Sequence, residues 1–275
     1  MKKILIFIVG KFVNVVSYFS KSYATKLAIT FFTKPRKGQI TRIQGEFLDT
    51  AFKEELKFVD NHIMTYRWLG NKPTVLLAHG WESNAARWQP LILNLKSKGF
   101  NIVALDAPAH GNSGSGYFDA FLYSEFINVV AKRFKAEIII GHSVGGMASV
   151  MSQNNHQLAH VKKIILIGSP SEYKGLLDRY TNMLGYNQRI KIQLNTIIIE
   201  RFGQDPSSIS TAKYLNNINS KGLVIHDKKD DVIPYDDALL IKNSSENVSF
   251  KCTKGLGHSY NDKKVTDYIN EFIES

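Results

Sequence analysis

A serine lies at the centre of the sequence Gly-His-Ser-Val-Gly-Gly at residues 141–146, between an apolar run at 138–140 and a helix-like run at 147–151. A serine on a sharp turn between a strand and a helix exposes its hydroxyl as a nucleophile. Gly141 and Gly145 lack the Cβ atoms that would clash at such a turn, and Gly146 lets the helix pack close to the sheet. The pattern therefore predicts Ser143 as a nucleophile, provided that the chain supplies a base and an acid.

A serine hydroxyl needs a base to take its proton, and the base needs a carboxylate to orient it. His258 lies between glycines in Gly-Leu-Gly-His-Ser, after the last predicted strand and before the last predicted helix. Three aspartates, Asp227, Asp230 and Asp231, follow the preceding strand. The residues alone predict His258 as the base and leave the choice among the three acids open.

The oxyanion of a tetrahedral intermediate needs hydrogen-bond donors. The backbone N–H of Val144 follows the serine at the start of a helix, whose dipole adds partial positive charge. The sequence His-Gly-Trp at 79–81 directly follows an apolar run at 75–78. We expect the backbone N–H groups of Trp81 and Val144 to form the oxyanion hole.

These residues require elements that bring them to one edge of a sheet. Apolar runs predict strands at 62–68, 74–78, 100–105, 137–140, 163–168, 222–226 and 248–252. Amphipathic runs predict helices at 88–98, 120–134, 144–154, 235–242 and 262–273. This alternation predicts an α/β fold with a mostly parallel central sheet and helices on both faces.

About fifty residues separate the strand ending at Gly168 from the next one, and an insertion of that length is usually functional. Helix-like stretches at 173–184 and 190–202 predict a small helical cap, although an extra crossover without a role at the site is the alternative. Five residues are candidates for lining an acyl pocket: Trp81, His142, Met183, Leu184 and Tyr186. Apolar residues of a cap can equally serve packing.

The positive charge is concentrated near the N-terminus. The net charge is +11, but residues 1–45 contain nine basic and no acidic residues, so the remainder is close to neutral. This distribution argues against nucleic-acid binding. The segment is also apolar, with Lys11, Asn14, Ser17 and Lys21 spaced by three or four residues. A cationic amphipathic helix, on a membrane surface or against the protein's own body, fits better than a signal peptide or a transmembrane helix.

Four motifs in order resemble those of the α/β-hydrolase fold from about residue 46 to the C-terminus. They are His79-Gly80-Trp81, the turn at 106–113, the serine turn at 141–146 and the acid loop at 226–234. Ala109 and Asp227 occupy positions where glycine is usual, and Ile233 replaces valine. The resemblance implies a triad of Ser143, Asp230 and His258, because its register selects Asp230, and a cap after the sixth strand.

The combined prediction is a serine hydrolase that cleaves a carboxylic ester or thioester of a small molecule through an acyl-enzyme, without a cofactor or metal. The predicted segments are 1–45, a core at 46–168, a cap at 169–220 and the rest of the core at 221–275. We expect a cytoplasmic protein, with membrane-surface contact through residues 1–30 as an option and a secreted or anchored form left open. The oligomeric state is not predicted. The alternative function is a non-enzymatic binding or signalling protein on the same fold.

Overall fold

An eight-stranded sheet forms the centre of the computed structural model, which describes the backbone of residues 2–275 and the side chains of residues 4–275. The strands are Phe52–Phe58 (β1), Asn61–Trp68 (β2), Lys72–Ala78 (β3), Phe100–Leu105 (β4), Ile138–His142 (β5), Lys163–Ile167 (β6), Lys221–Asp227 (β7) and Val248–Thr253 (β8). Their order is β1-β2-β4-β3-β5-β6-β7-β8. β2 pairs antiparallel with β1 and β4, and the other pairs are parallel. The predicted fold class is confirmed.

Helices alternate with most of the strands along the chain, as the sequence predicts. They are Lys2–Phe19 (α1), Lys21–Thr33 (α2), Arg42–Leu48 (α3), Gln89–Ser97 (α4), Ala120–Phe134 (α5), Val144–His156 (α6), Tyr173–Met183 (α7), Gln188–Phe202 (α8), Thr211–Leu215 (α9), Tyr235–Lys242 (α10) and Lys263–Glu274 (α11). A 3₁₀ turn at Ala85–Trp88 precedes α4. Within the described residues, no helix is long and apolar enough to cross a bilayer.

The central strands are buried along most of their length, as expected for a parallel sheet covered on both faces. β1 is the strand that periodicity did not predict. Its sequence, Phe-Lys-Glu-Glu-Leu-Lys-Phe, is mostly charged, and it lies at the sheet edge, where it pairs with β2 alone. No residue of β1 is fully buried, so the strand lacks the solid apolar run of the central strands, and charged side chains are common on edge strands.

The chain forms two compact units whose boundaries differ from the predicted segments. The core unit comprises Pro35–Ser171 and Thr211–Ser275, and the helical unit comprises Met1–Lys34 and Glu172–Ser210. The N-terminal helices α1 and α2 therefore fold together with α7 and α8 of the insertion. α3 spans the predicted boundary between the segment 1–45 and the core, and it belongs to the core unit.

The helical unit has an apolar core of its own. The buried members come from both parts of the unit: Val13, Ala24, Ala28, Leu184, Tyr186, Ile190 and Leu194. Gly10 permits the close approach of α1, because a Cβ at that position would collide with the backbone of Leu184. The N-terminal segment and the insertion thus bury each other's apolar surface.

Candidate active site

Ser143 occupies the turn between β5 and α6, as the sequence predicts. Its φ of 54° and ψ of −127° place a residue with a side chain in a backbone region that normally favours glycine. The N–H of Ser143 donates to the carbonyl of Ile167 on β6 at 2.8 Å. A strained backbone conformation of this kind persists only where the surrounding structure enforces it. The turn places the Ser143 hydroxyl at the C-terminal end of β5.

The glycines around Ser143 are required by close packing. A Cβ at Gly141 would collide with the backbone of Gly146, and one at Gly145 would collide with the carbonyl groups of Ala78 and His79 at the end of β3. A Cβ at Gly146 would meet the hydroxyl of Ser169. Close contacts thus explain why each of these positions is glycine, and at Gly145 the contact is with the end of β3.

Three predicted residues form a hydrogen-bonded chain. Nε2 of His258 lies 3.0 Å from Oγ of Ser143, and Nδ1 of His258 lies 2.8 Å from Oδ2 of Asp230. A carboxylate only accepts hydrogen bonds, so Nδ1 of the neutral imidazole carries the proton and Nε2 can accept the serine proton. The Asp230 side chain is fully buried, whereas that of His258 is 19% exposed. The arrangement can deprotonate a serine hydroxyl.

Hydrogen bonds keep Asp230 ionised although it is buried. Oδ1 accepts the N–H groups of Val232 and Ile233, both at 2.9 Å, and Oδ2 also accepts the hydroxyl of Tyr260 at 2.9 Å. Burial alone would raise the pKa of the Asp230 carboxyl, but the hydrogen bonds from His258 and the backbone outweigh it, so the pKa is lowered. Asp231, the alternative acid, is exposed.

The third aspartate of the loop, Asp227, is completely buried and connects two loops. Its carboxylate accepts the N–H group of Lys229 in the acid loop at 2.8 Å. It also accepts the N–H groups of Gly255 and Leu256, both at 3.0 Å, in the loop at 254–262 that carries His258, here called the histidine loop. It also accepts the Thr253 hydroxyl at 2.7 Å. Burial opposes ionisation, but these hydrogen bonds lower the pKa of Asp227 to about 2. The sequence feature that indicates this role is the aspartate at position 227, where the resembling motif usually has glycine.

The loop that carries Trp81 lies against the serine turn. A Cβ at Gly80 would be 2.9 Å from Nδ1 of His142 and 3.0 Å from Cβ of Ser143, so glycine permits this approach. Nδ1 of His79 contacts the Gly80 carbonyl at 2.7 Å, and Nε2 of His79 accepts the N–H of Ala107 at 2.9 Å. Nδ1 is therefore the donor. Because the N–H of Trp81 points opposite to the Gly80 carbonyl across a trans peptide, His79 also orients the predicted oxyanion donor.

Val144, the other predicted donor, is the first residue of α6. The first N–H groups of a helix have no partner within the helix, and the helix dipole places partial positive charge there. The predicted donors Trp81 and Val144 thus belong to segments that flank Ser143, one at the end of β3 and the other at the start of α6.

Arg87 is a residue of this region that sequence reasoning missed. Nη1 of Arg87 contacts Nδ1 of His142, and Nη2 donates to the carbonyl of Ser259 at 3.0 Å. Nε2 of His142 lies 2.9 Å from the carbonyl of His258. Burial lowers the pKa of His142 well below its ordinary value, and Arg87 and His258 lower it further. No motif marks Arg87, because its partners lie 55 and 172 positions away.

The five candidates for an acyl pocket lie in different surroundings. In the core unit, Trp81 packs edge-on against Phe118 and His110, and His142 is buried beside His258. In the helical unit, Leu184 and Tyr186 belong to the apolar core, whereas Met183 is 54% exposed. Packing inside the helical unit accounts for Leu184 and Tyr186, and the pocket assignment stays a prediction.

Comparison with known proteins places this geometry in a family. Residues 75–215 match the alpha/beta hydrolase family. A Mycoplasma genitalium protein named "Putative esterase/lipase 2" is 24% identical over 253 residues, which cover 78% of this chain and 94% of that protein. An esterase of Mycobacterium tuberculosis is 33% identical over 93 residues, which cover 32% of this chain and 30% of that protein.

Solved structures have the same fold. An esterase from Exiguobacterium antarcticum has a TM-score of 0.64 and 19% identity, over 82% of this chain and 100% of that one. A structure described as a membrane phospholipase A, a bacterial virulence factor, has a TM-score of 0.64 and 16% identity, over 100% of this chain and 98% of that one. The family match covers the strand before Trp81, the serine turn and the insertion. The chain therefore belongs to the alpha/beta hydrolase family.

Proposed function

We propose that this protein is a serine hydrolase that cleaves a carboxylic ester or thioester of a small molecule through an acyl-enzyme. The protein is a hydrolase that acts on ester bonds, in keeping with its esterase relatives. The observation that carries the proposed mechanism is the hydrogen-bonded chain from Ser143 through His258 to Asp230. The strained backbone of Ser143 supports the same role.

In the first half of the reaction, Oγ of Ser143 attacks the carbonyl carbon while Nε2 of His258 takes the hydroxyl proton. The backbone N–H groups of Trp81 and Val144 stabilise the negative charge on the carbonyl oxygen. The C–O or C–S bond of the substrate then breaks, and the alcohol or thiol leaves with the proton from His258. The product is an ester between the acyl group and Ser143.

In the second half, water replaces the alcohol or thiol. His258 takes a proton from the water as its oxygen attacks the acyl carbon, and the proton returns to Oγ when the carboxylic acid leaves. Asp230 holds the imidazole with Nε2 toward the reacting atoms and stabilises the positive charge that His258 carries in both halves. Its ionised, fully buried carboxylate suits that role.

The test compares Ser143→Ala with Ser97→Ala, which changes an exposed serine on α4. Ser143→Ala is expected to abolish turnover of a p-nitrophenyl ester and labelling by a fluorophosphonate, which requires an activated serine. Ser97→Ala is expected to change neither. Full turnover by Ser143→Ala would overturn the proposed mechanism, and labelling of that variant would place the activated serine elsewhere.

Esters and thioesters are both attacked at the carbonyl carbon, so the triad alone does not favour one of them. Measuring kcat/KM for oxygen esters and thioesters with the same acyl group, across a range of chain lengths, separates the two substrate classes. A preference above about tenfold at matched chain length, which is about 1.4 kcal/mol in transition-state stabilisation, would assign the leaving group.

We also propose that residues 1–30 contact a membrane surface, which would bring a lipid-like ester to the protein. Two observations support this contact: the absence of acidic residues from the basic and apolar segment 1–45, and the match of the whole chain to a structure described as a membrane phospholipase A. A faster turnover of a long-chain ester in anionic vesicles than in neutral vesicles would agree with this proposal. Equal rates in both kinds of vesicle would argue against it.

A further inference from the structure

The side of α1 that faces away from the core of the helical unit is apolar and exposed. Six residues, here called the outer face, are between 56% and 87% exposed: Ile4, Leu5, Ile8, Phe12, Val15 and Phe19. At 3.6 residues per turn, they lie within about 100° of the helix circumference. Of the twenty large apolar side chains that are exposed among the described residues, ten lie between Ile4 and Phe31. An exposed apolar patch of this kind usually marks a contact surface.

The opposite side of α1 is already occupied within the helical unit. The Asn14 side-chain amide donates to the Gly185 carbonyl at 2.8 Å, and its oxygen accepts the N–H of Asn187 at 2.9 Å. The Asn187 amide donates to the Ser17 hydroxyl at 2.9 Å, and Val13 is fully buried. Two of the four predicted polar residues thus face inward, and Lys21 starts a separate helix. Asn14 and Ser17 of the predicted polar face thus pack against the insertion, whereas the apolar outer face is in solvent.

The charge around the outer face is positive. Lys11 is exposed at its edge, and Lys21 and Lys26 are exposed on α2. The segment 1–45 contains no carboxylate that could neutralise these cations. Apolar side chains bordered by lysines suit a surface with an apolar interior and anionic headgroups. Pairing of the outer face with that of a second copy would bring cations of like sign together.

We propose that the outer face of α1 docks on an anionic lipid bilayer, with the helix lying along the surface. This inference rests on the proposed membrane contact of residues 1–30 and adds which residues enter the lipid and which headgroup charge attracts them. It is independent of the ester chemistry. The apolar side chains insert at the level of the headgroups and upper acyl chains, while the lysines stay beside the anionic headgroups.

The experiment measures partition of the full chain onto vesicles of phosphatidylcholine alone and of phosphatidylcholine with phosphatidylglycerol. The unaltered chain is expected to prefer the anionic vesicles. The double variant Phe12→Glu/Val15→Glu is expected to bind them at least about tenfold more weakly. The control, Leu93→Glu/Leu240→Glu, changes two exposed apolar residues of the core unit and alters the net charge equally. It is expected to bind like the unaltered chain.

A single charge change tests the lipid specificity. Lys11→Gln is expected to weaken binding to anionic vesicles about fivefold, because a lysine near such a surface contributes about that factor, and to leave binding to neutral vesicles unchanged. The control is Lys132→Gln, which alters an exposed lysine on α5. Equal binding of the unaltered chain to both kinds of vesicle would overturn the charge dependence and with it the proposal.

Other outcomes distinguish the docking of the outer face from the proposed membrane contact of residues 1–30. If the unaltered chain binds neither kind of vesicle, both proposals are wrong. If the two double variants bind anionic vesicles equally, only the docking of the outer face is wrong. A dimer in sedimentation velocity that Phe12→Glu/Val15→Glu dissociates, without any vesicle binding, would assign the outer face to a second copy. Circular dichroism and p-nitrophenyl ester turnover verify that each variant is folded.

Discussion

Arg87, which is half-buried, and the buried His142 are paired and together hold the backbone of the histidine loop. A guanidinium only donates hydrogen bonds, so Nδ1 of His142 accepts from Arg87, and Nε2 carries the proton that it donates to the His258 carbonyl. Arg87 also donates to the next carbonyl, that of Ser259. The carbonyl group of His258 thus accepts from His142, and that of Ser259 accepts from Arg87. The pair couples the position of His258 to that of Ser143.

The first prediction tests whether the hydrogen bonds of Arg87 and His142 position His258. Arg87→Met leaves the Ser259 carbonyl and Nδ1 of His142 without their donor, so we expect kcat to fall about tenfold to a hundredfold while KM changes less, because His258 loses alignment. Arg67→Met serves as the control, since Arg67 bonds to Asn101 on the neighbouring strand β4 instead. Steady-state kinetics with a p-nitrophenyl ester measures both variants. Equal kcat values for Arg87→Met and Arg67→Met would show that Arg87 does not position His258.

The same substitution has a spectroscopic signature. The positive charge of Arg87 lowers the pKa of His142 by disfavouring the imidazolium, in addition to the effect of burial. Removing that charge therefore raises the pKa of His142. Titration of the imidazole resonances by NMR is expected to show this increase in Arg87→Met and no change in Arg67→Met. Arg87→Lys removes the guanidinium but keeps the positive charge. It is therefore expected to keep the pKa of His142 low, which separates the effect of the charge from that of lost packing.

The second prediction distinguishes the two candidate acids. In Asp230→Asn, the amide can donate to Nδ1 of His258, which favours the wrong tautomer, so kcat is expected to fall by roughly 10³- to 10⁴-fold. Asp231→Asn is expected to keep the activity, because Asp231 is exposed and the contact with His258 belongs to Asp230. Comparing kcat of the two variants gives the result directly. A larger loss in Asp231→Asn would reassign the acid.

The third prediction tests the approach of the Trp81 loop to the serine turn. A methyl group at residue 80 would crowd Nδ1 of His142 and Cβ of Ser143, so Gly80→Ala must displace the loop. We expect kcat to fall about tenfold to a hundredfold, because a displaced Trp81 N–H stabilises the oxyanion less well. Gly116→Ala is the matched control, since a Cβ there meets no atom within 4 Å. Unchanged kcat in Gly80→Ala would remove Trp81 from the oxyanion hole.

The fourth prediction follows from the lowered pKa of Asp227. The pKa of about 2 in the folded chain lies below the value of about 3.9 in an unfolded chain. The ionised carboxylate therefore contributes about 2 kcal/mol of stability above pH 4, which is lost as the pH falls from about 4 to 2. Asp227→Asn is expected to be less stable at pH 7 and to lose less stability over this acidic range.

Urea unfolding at pH 7 and pH 3 measures this effect. Asp231→Asn controls for the change in net charge in the same loop. If Asp227→Asn and the unaltered chain lose the same free energy of unfolding between the two pH values, Asp227 is not the ionised group that joins the acid and histidine loops.

The sequence predicted the parts of this fold that periodic burial and short motifs determine. Seven strands were recognisable because burial makes them apolar runs, and Ser143 and His258 were recognisable because each follows such a strand. Three aspartates follow the strand before the acid loop, and only the resemblance to the family selected Asp230 among them. Parallel strands deliver their C-terminal loops to one edge, so the order of the motifs was sufficient to predict the proximity of these residues.

Contacts between distant segments could not be predicted in this way. Arg87 lies in a short 3₁₀ turn without a motif, and its role depends on the three-dimensional path of the histidine loop. The polar residues of α1 suggested an outward polar face, yet Asn14 and Ser17 bind the insertion. Periodicity shows that a helix has two faces, but it does not show which face has a partner.

Peptide mapping of the acyl-enzyme tests the central claim most directly. The protein is mixed with a slowly hydrolysed p-nitrophenyl ester, quenched in acid and digested, and the acylated peptide is identified by mass spectrometry. We predict one acyl group on Ser143, formed at the rate of the initial nitrophenol release and absent from Ser143→Ala. An acyl group on another residue, or continued turnover by Ser143→Ala without any adduct, would contradict the assignment of Ser143 as the nucleophile.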